Sequence, residues 1–263
     1  MSGWGAADAD WLVTEMAAAG REVLMPRFAD PARLGTRAKA AADDLVTEAD
    51  LACEARLTAA VRARLPGALI VGEEAAEDDP GLRGRIGEAA LSVILDPVDG
   101  TWNYASGVPL FGIIAAVAEA GETVFGAIHD PVTGVTVRSD APPGMAPRLG
   151  PDLRGALPLG HMPREARGPV AAAMAPLGRI GALGCSAWEY RMLAEGRTDY
   201  VLSGELKPWD HAAGALLVER AGGHAAMLDG RPYRPGMDED YLLSARDRET
   251  WDLVRGRIGG LLG

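Results

Sequence analysis

Ile94-Leu95-Asp96-Pro97-Val98-Asp99-Gly100-Thr101 is an apolar run that ends in two acids, a proline, a glycine and a hydroxyl. Residues 91–95, which lead into it, are short, apolar and β-branched, and fit a strand buried on both faces better than a helix. Pro97 fixes its own φ and holds Asp96 extended, while Gly100 permits a turn or a close backbone approach. The stretch therefore predicts a buried strand ending at Leu95, then a rigid turn presenting Asp96 and Asp99 together with the Thr101 hydroxyl beside them. Two carboxylates that close repel unless a divalent cation lies between them, and all-oxygen ligation without histidine suits Mg²⁺ or Mn²⁺ better than Zn²⁺. A solvated Asp-Pro-x-Asp-Gly surface turn uses the same residue types and is the competing reading.

Working outward, other stretches also deliver acids to the ends of elements. Ala68-Leu69-Ile70-Val71 reads as a strand that ends in Gly72-Glu73-Glu74, consistent with a shared cation. Trp209-Asp210-His211-Ala212-Ala213-Gly214 opens a helix running to about Ala221, where Gly222-Gly223 stops it. Asp210 thus stands at a helix N-terminus, and an N-cap or first-turn acid there needs no further role. Asp44-Leu45-Val46-Thr47-Glu48-Ala49-Asp50 opens another helix, through Leu57 and Val61 to Pro66-Gly67. Thr47 with Asp50 three residues on matches a capping box, which by itself accounts for both.

The remaining segments frame these. Residues 8–28 carry Trp11, Leu12, Met16, Ala19 and Val23 at helical spacing and read as a packing helix without chemistry. Residues 29–43 read as a loop carrying Lys39, a position ordinarily just solvated. Residues 111–117, 123–128 and 135–137 read as an antiparallel meander, the first two joined through Glu119-Ala120-Gly121-Glu122. The stretch 139–169 is rich in Pro and Gly and marks a junction between an N-terminal α+β subdomain, residues 1–140, and a C-terminal α/β subdomain, residues 141–263. In the latter, 180–184, 199–202 and 241–243 read as strands. Residues 186–195 read as a helix with Met192 and Leu193 inward, and 246–258 as a closing helix.

At 263 residues the chain is long enough to bury a sizeable core, and 48% hydrophobic with 24% charged residues is ordinary for a globular protein. The 26 basic and 37 acidic residues give a net charge of −11, which argues against non-specific binding to nucleic acid or anionic membrane. An anionic substrate would then need a metal to draw it in. Cys53 and Cys185 are too few for a disulfide framework, the N-terminus lacks the basic and apolar regions of a signal peptide, and no apolar run approaches membrane-spanning length. A cytoplasmic protein is expected.

In order and spacing, the blocks around Asp50, Glu73, Asp96 and Asp210 resemble the inositol monophosphatase family over roughly residues 10 to 257. The resemblance implies a layered α-β-α-β-α fold, with an antiparallel sheet in the N-terminal half and a mixed α/β C-terminal half, usually as a homodimer. It implies hydrolysis of small phosphate monoesters with about two or three Mg²⁺ ions per site, often inhibited by Li⁺. It places Glu73, Asp96 and the Val98 carbonyl on one ion, Asp96, Asp99 and Asp210 on a second, and a weaker third near Glu73. Thr101 and Asp50 become the pair that orients and deprotonates the attacking water, with Glu74 behind them. Lys39 matches a lysine in a loop over the site, and the N–H groups of Gly100 and Thr101 meet the phosphate.

Departures from the family pattern leave the alcohol open. Trp102 stands where a second threonine is common, and Ser203 where inositol-hydrolysing members place a glutamate that grips the sugar hydroxyls. Gly184, Cys185 and Ser186 fall at the expected leaving-group pocket with Ser203, and Glu205 and Lys207 are candidates to recognise a different alcohol. Inositol phosphates, sugar phosphates, histidinol phosphate and nucleotide 3′-phosphates all fit the same metal core. Two rival readings exist. Cys185 to Arg191 spells Cys-x₅-Arg, the pattern of cysteine-dependent phosphatases, although Trp188, Glu189 and Tyr190 are too bulky and too acidic for a phosphate cradle. The other rival is a non-catalytic binding protein on a phosphatase scaffold, against which stands the complete set of acids.

Overall fold

The computed structural model describes residues 4–28, 37–38 and 45–262, with backbone alone at 37–38 and 45–46; Lys39 and Asp44 lie outside the described residues. Helix α1 (Ala6–Ala19) buries Ala9, Leu12, Met16 and Ala19, spaced three and four apart, and continues through a π-helical turn at Gly20–Leu24 into α2 (Met25–Phe28). Strands β1 (Arg37–Ala38) and β2 (Leu45–Val46) pair antiparallel ahead of α3 (Glu48–Arg64). The capping box is present: the Thr47 hydroxyl oxygen accepts the Ala49 and Asp50 N–H groups, and the Asp50 carboxylate accepts the Thr47 N–H at 2.9 Å.

Strand β3 (Leu69–Gly72) runs into α4 (Glu73–Asp78), and β4 (Ser92–Asp99) into α5 (Thr101–Ala105). With β5 (Gly112–Glu119), β6 (Glu122–Asp130) and β7 (Val135–Arg138) they form a sheet of order β3-β4-β5-β6-β7. The expectation of an antiparallel sheet holds for three of its pairings, but β3 and β4 run parallel. The segment between them, with α4 and a 3-10 turn at Pro80–Gly87, is long enough to cross over.

The second sheet has the order β11-β12-β10-β8-β9. It comprises β8 (Leu153–Ala156), β9 (Gly178–Gly181), β10 (Tyr200–Ser203), β11 (His224–Met227) and β12 (Leu242–Ala245). Strands β10, β8 and β9 run parallel, and β12 lies antiparallel to both β10 and β11. Helices α6 (Arg164–Met174), α7 (Ser186–Ala194), α8 (Pro208–Arg220) and α9 (Arg248–Leu262) complete the described chain.

Three apolar interfaces stack these elements into five layers. Leu12, Met16, Leu57 and Val61 of α1 and α3 pack on Val93, Leu95, Ile113 and Phe125 of the first sheet. On that sheet's other face, Ile94, Ile114 and Ile128 meet Tyr190, Leu193, Ala213 and Leu217 of α7 and α8, which also reach Val201 of the second sheet. Val170 and Met174 of α6 with Trp251, Val254 and Ile258 of α9 cover that sheet's remaining face at Leu153, Leu202 and Leu243. Alternation within β4 sends Val93 and Leu95 to one core and Ile94 to the other, and the result is the α-β-α-β-α order.

Several local expectations are corrected. β4 does not stop at Leu95 but pairs with β5 as far as Asp99. Strand β8 and the start of α6 lie within the stretch read as a Pro- and Gly-rich junction, and β11 follows Gly222-Gly223 where no strand was read. Met192 is half-buried, and the inward positions of α7 are Ala187, Tyr190, Leu193 and Ala194. No helix among the described residues is long and apolar enough to cross a membrane.

Candidate metal centre

Along a regular strand, residues three apart point to opposite faces. In β4 the pairing with β5 shifts between Asp96, opposite Ile114, and Asp99, opposite Gly112, so one extra residue is inserted. Pro97, with no N–H to give the ladder, falls in this bulge. The insertion brings Asp96 and Asp99 to one cleft, and the Val98 N–H donates to Asp96 Oδ1 at 3.0 Å. Gly100 follows at φ 83°, in the left-handed region; a Cβ there would lie 2.9 Å from the Leu110 carbonyl oxygen and 3.1 Å from Cys185 Cβ.

Asp210, in the first turn of α8, approaches from another layer, and carboxylate oxygens of Asp96, Asp99 and Asp210 lie within 4.8 Å of one another. Glu73, Val98, Gly100, Thr101, Trp102, Gly184 and Lys207 complete the lining of this recess of about 170 Å³. Burial pushes the Asp96 carboxyl well above the usual carboxylate range, and the Glu73, Asp99 and Asp210 charges add to it. Asp210 is pushed up to about 8, by burial first and then by Asp99 and Glu73, with Lys207 opposing. Asp99 is pushed up only to about 6, because the Cys185 thiol and the Ala187 and Ser186 N–H groups hold its anion against the cost of burial. These groups meet Asp99 at the N-terminus of α7: Ser186 N–H at 3.1 Å, Ala187 N–H at 2.6 Å and Cys185 Sγ at 2.8 Å. Acids that resist ionising together are stabilised as carboxylates by a divalent cation, and this oxygen-only donor set fits a hard ion such as Mg²⁺.

Beside the acids, the buried Asp50 divides its two oxygens between two tasks. Oδ2 closes the capping box, accepting both the N–H and the hydroxyl of Thr47. Oδ1 faces the Thr101 hydroxyl at 3.2 Å, and that hydroxyl is also 2.9 Å from the Val98 carbonyl oxygen.

Glu54 was missed by sequence reasoning. Buried one turn beyond Asp50, it accepts the Glu74 N–H at 2.9 Å and the Ala75 N–H at 3.0 Å, satisfying the first turn of the helix that begins with Glu73. The approach requires Gly72, where a Cβ would lie 2.3 Å from the Glu54 carboxyl carbon. The available signal was the i, i+4 spacing from Asp50, which puts both acids on one face of α3. The Glu74 side chain itself lines neither the recess nor the cavity beside it.

Past Trp102 and Asp99 the recess adjoins an open cavity of about 980 Å³, bounded on one side by Gly184, Cys185, Ser186, Ser203, Glu205 and Lys207 and elsewhere by Leu157, Leu159, Ile180 and Leu202. The residues expected around a leaving group are thus brought together, though not all with idle polar atoms. The Cys185 thiol is turned to Asp99, and the buried Ser203 hydroxyl is 3.3 Å from the Tyr190 hydroxyl. Trp102, 56% exposed, lines both spaces. Two further residues escaped sequence reasoning: Asn103 Nδ2 donates to the Leu110 and Leu183 carbonyls at 2.9 Å each, and Glu189 Oε1 accepts the Leu183 N–H at 2.7 Å. Together they pin the loop that carries Gly184.

The Cys-x₅-Arg reading fails on chemistry. Burial, and then the Asp99 charge, push the Cys185 thiol up, away from the thiolate a nucleophile needs, and Arg191 is paired to Asp130 at 2.9 Å and Glu195 at 3.0 Å.

The chain is similar to known proteins over most of its length. The sequence profile of the inositol monophosphatase family matches residues 9–145 and 154–255. Inositol-1-monophosphatase ImpA of Mycolicibacterium smegmatis is 30% identical over 220 residues, 77% of this chain and 76% of that protein. A protein of Thermotoga maritima described as fructose-1,6-bisphosphatase/inositol-1-monophosphatase is 27% identical over 207 residues, 72% of this chain and 73% of that protein. Among solved structures, the Thermotoga maritima IMPase superposes with a TM-score of 0.78 at 22% identity, covering 97% of this chain and 99% of that one, a likeness of fold.

Proposed function

The chain belongs to the inositol monophosphatase family and is a phosphatase, and from that premise we propose that it hydrolyses a small phosphate monoester of a polyol, sugar, histidinol or nucleoside with Mg²⁺ held by Glu73, Asp96, Asp99, Asp210 and the Val98 carbonyl. The observation that carries this reading is the convergence of three carboxylates within 4.8 Å beside a Thr101–Asp50 hydroxyl–carboxylate pair. Bound Mg²⁺ supplies the positive charge that acidifies water and offsets charge on the phosphoryl and leaving oxygens. The Thr101 hydroxyl, donating to Asp50 Oδ1, turns its lone pairs outward to accept a hydrogen bond from the attacking water, whose proton then passes through Thr101 to Asp50. Gly100 and Thr101 N–H groups, at the start of α5, are unsatisfied within the helix and suit a phosphoryl oxygen. Water forms the new P–O bond as the P–O bond to the alcohol breaks, and the departing alcohol oxygen takes up a proton from solvent in the open adjoining cavity as it leaves.

Mn²⁺ as a substitute, inhibition by Li⁺ and a homodimer are proposed on family resemblance, and a reducing compartment on the two free, buried cysteines. Sedimentation tests the dimer. Phosphate release from inositol 1-phosphate, fructose 1,6-bisphosphate, histidinol phosphate and adenosine 3′,5′-bisphosphate, with Mg²⁺ and with EDTA, tests the chemistry. Release abolished by EDTA and by Asp96→Asn or Asp210→Asn is expected; full activity in either variant, or none on any phosphoester, overturns the reading.

A further inference from the structure

At the far end of the second sheet from the acids lies a separate hollow of about 240 Å³ into which Arg148, Arg154, Arg179, Arg197 and Arg246 converge. Only Asp152 and Asp199 among its lining residues are acidic, so the site carries an excess of positive charge in a chain whose net charge is −11. Part of this charge has a structural use. Asp199 is buried between Arg246 at 2.9 Å and Arg148 at 3.5 Å, and its other oxygen accepts the Arg154 N–H at 2.8 Å. Arg197 pairs with Glu195 at 2.6 Å.

Arg154 and Arg179 are different. They face one another directly in the parallel register of β8 and β9, and neither guanidinium has a carboxylate partner among the described residues. Like charges opposite one another on adjacent strands are destabilising. Both are exposed at the rim of the hollow, where an anion lying between them would remove that repulsion, and the planar guanidinium fork matches phosphate oxygens in pairs. The site sits where β8, β9 and β10 begin, whereas the cavity beside the acids is walled where they end, at Leu157, Gly181 and Ser203; a four-residue strand separates the two by roughly 10 Å.

We propose that this arginine hollow binds a small anion bearing two or more phosphate charges, independently of the metal centre. The small volume of the hollow favours a diphosphate group over an extended polyanion, which the acidic surface would repel. Calorimetry on the full chain in EDTA, with inorganic pyrophosphate and separately with adenosine diphosphate, tests it. Saturable pyrophosphate binding is expected, weakened at least about 30-fold in the Arg154→Ala/Arg179→Ala double variant. That variant should keep its Mg²⁺-dependent phosphatase activity, since neither residue lines the recess or the cavity beside it. Tighter binding of adenosine diphosphate than of pyrophosphate would assign an organic source, equal affinities the diphosphate group alone, and both support the site. Absence of saturable binding to the wild-type chain, or equal affinity in the double variant, overturns it.

Discussion

Thr101 Oγ1 lies 3.2 Å from Asp50 Oδ1, a contact across 51 residues that joins the first turn of α5 to the first turn of α3. Because the other Asp50 oxygen is committed to the Thr47 cap, the carboxylate cannot swing away from Thr101 without opening the helix end. Thr101→Ala should lower kcat by about 10²–10⁴-fold with little change in phosphate affinity, and Thr101→Ser should restore most of it. Asp50→Ala should cost activity similarly and, in addition, about 0.5–2 kcal/mol of stability from the lost cap. Steady-state kinetics with thermal unfolding separate the two; an active Thr101→Ala enzyme would remove the hydroxyl from the mechanism.

The acid cluster predicts a pH-dependent response to Mg²⁺. Asp210 is pushed up to about 8 and Asp99 to about 6, both mainly by burial, so over the range from roughly pH 4 to those values the metal-free folded chain binds more protons than the unfolded one. Each shift therefore makes the metal-free protein less stable as pH rises through that window. A cation requires the deprotonated acids, so it competes with protons and releases them on binding. The increase in Tm on adding Mg²⁺ should be small near about pH 5.5 and larger near about pH 8, with proton release visible as a buffer-dependent heat. A Tm increase independent of pH would place the ion elsewhere.

What could be read in the sequence divides along physical lines. Asp96 and Asp99 were legible because an apolar strand pattern breaks abruptly into acids there, whereas Asp210, at a helix start that a first-turn acid already explains, was legible only through the family resemblance. The strand through Asp99 was not, because Pro97 and Gly100 signal a turn whether the ladder stops or merely bulges, and only the partner strand decides. Strand β8 was hidden by Gly155, over which the Tyr200 ring packs so closely that an added Cβ would lie 2.0 Å from it, a feature of tertiary structure alone. Helix α6 contains Gly168 and Pro169, yet Ala166, Val170 and Met174 hold it against α9 by burial at four-residue spacing. Glu54 shows the same limit: its i, i+4 spacing from Asp50 puts it on the same helix face, but only the tertiary contact separates a glutamate in water from one tucked beneath the turn at Gly72.

Glu54 holds the start of α4, from which Glu73 reaches the proposed metal centre. Glu54→Ala would leave the Glu74 and Ala75 N–H groups without their acceptor, costing about 1–3 kcal/mol, and would loosen the turn that aims Glu73. Mg²⁺ affinity should fall about 10–100-fold, while kcat at saturating Mg²⁺ stays near wild type. Glu54→Gln, which keeps one acceptor, should lie between. Loss of kcat that Mg²⁺ does not restore would show that Glu54 acts on the reaction itself rather than through Glu73.

Trp102 is the residue through which the substrate should be felt. It is 56% exposed and lines both the recess and the larger cavity, so its indole contributes little to the core and offers a face to whatever alcohol leaves beside the acids. Trp102→Thr should leave Tm nearly unchanged, within about 0.5 kcal/mol of stability, as for an ordinary surface substitution. Stacking of a ring or apolar face on the indole contributes about 0.5–1.5 kcal/mol, so kcat/KM for an alcohol that uses it should fall roughly 3–10-fold. Most of that loss should appear in KM, because the contact is made in the ground state as well as the transition state. A phosphoester too small to reach the indole, such as methyl phosphate, should be unaffected. An equal loss on both substrates would mean that Trp102 instead acts through its N-terminal neighbour Thr101 on the reacting atoms, and the comparison of the two substrates decides between these roles.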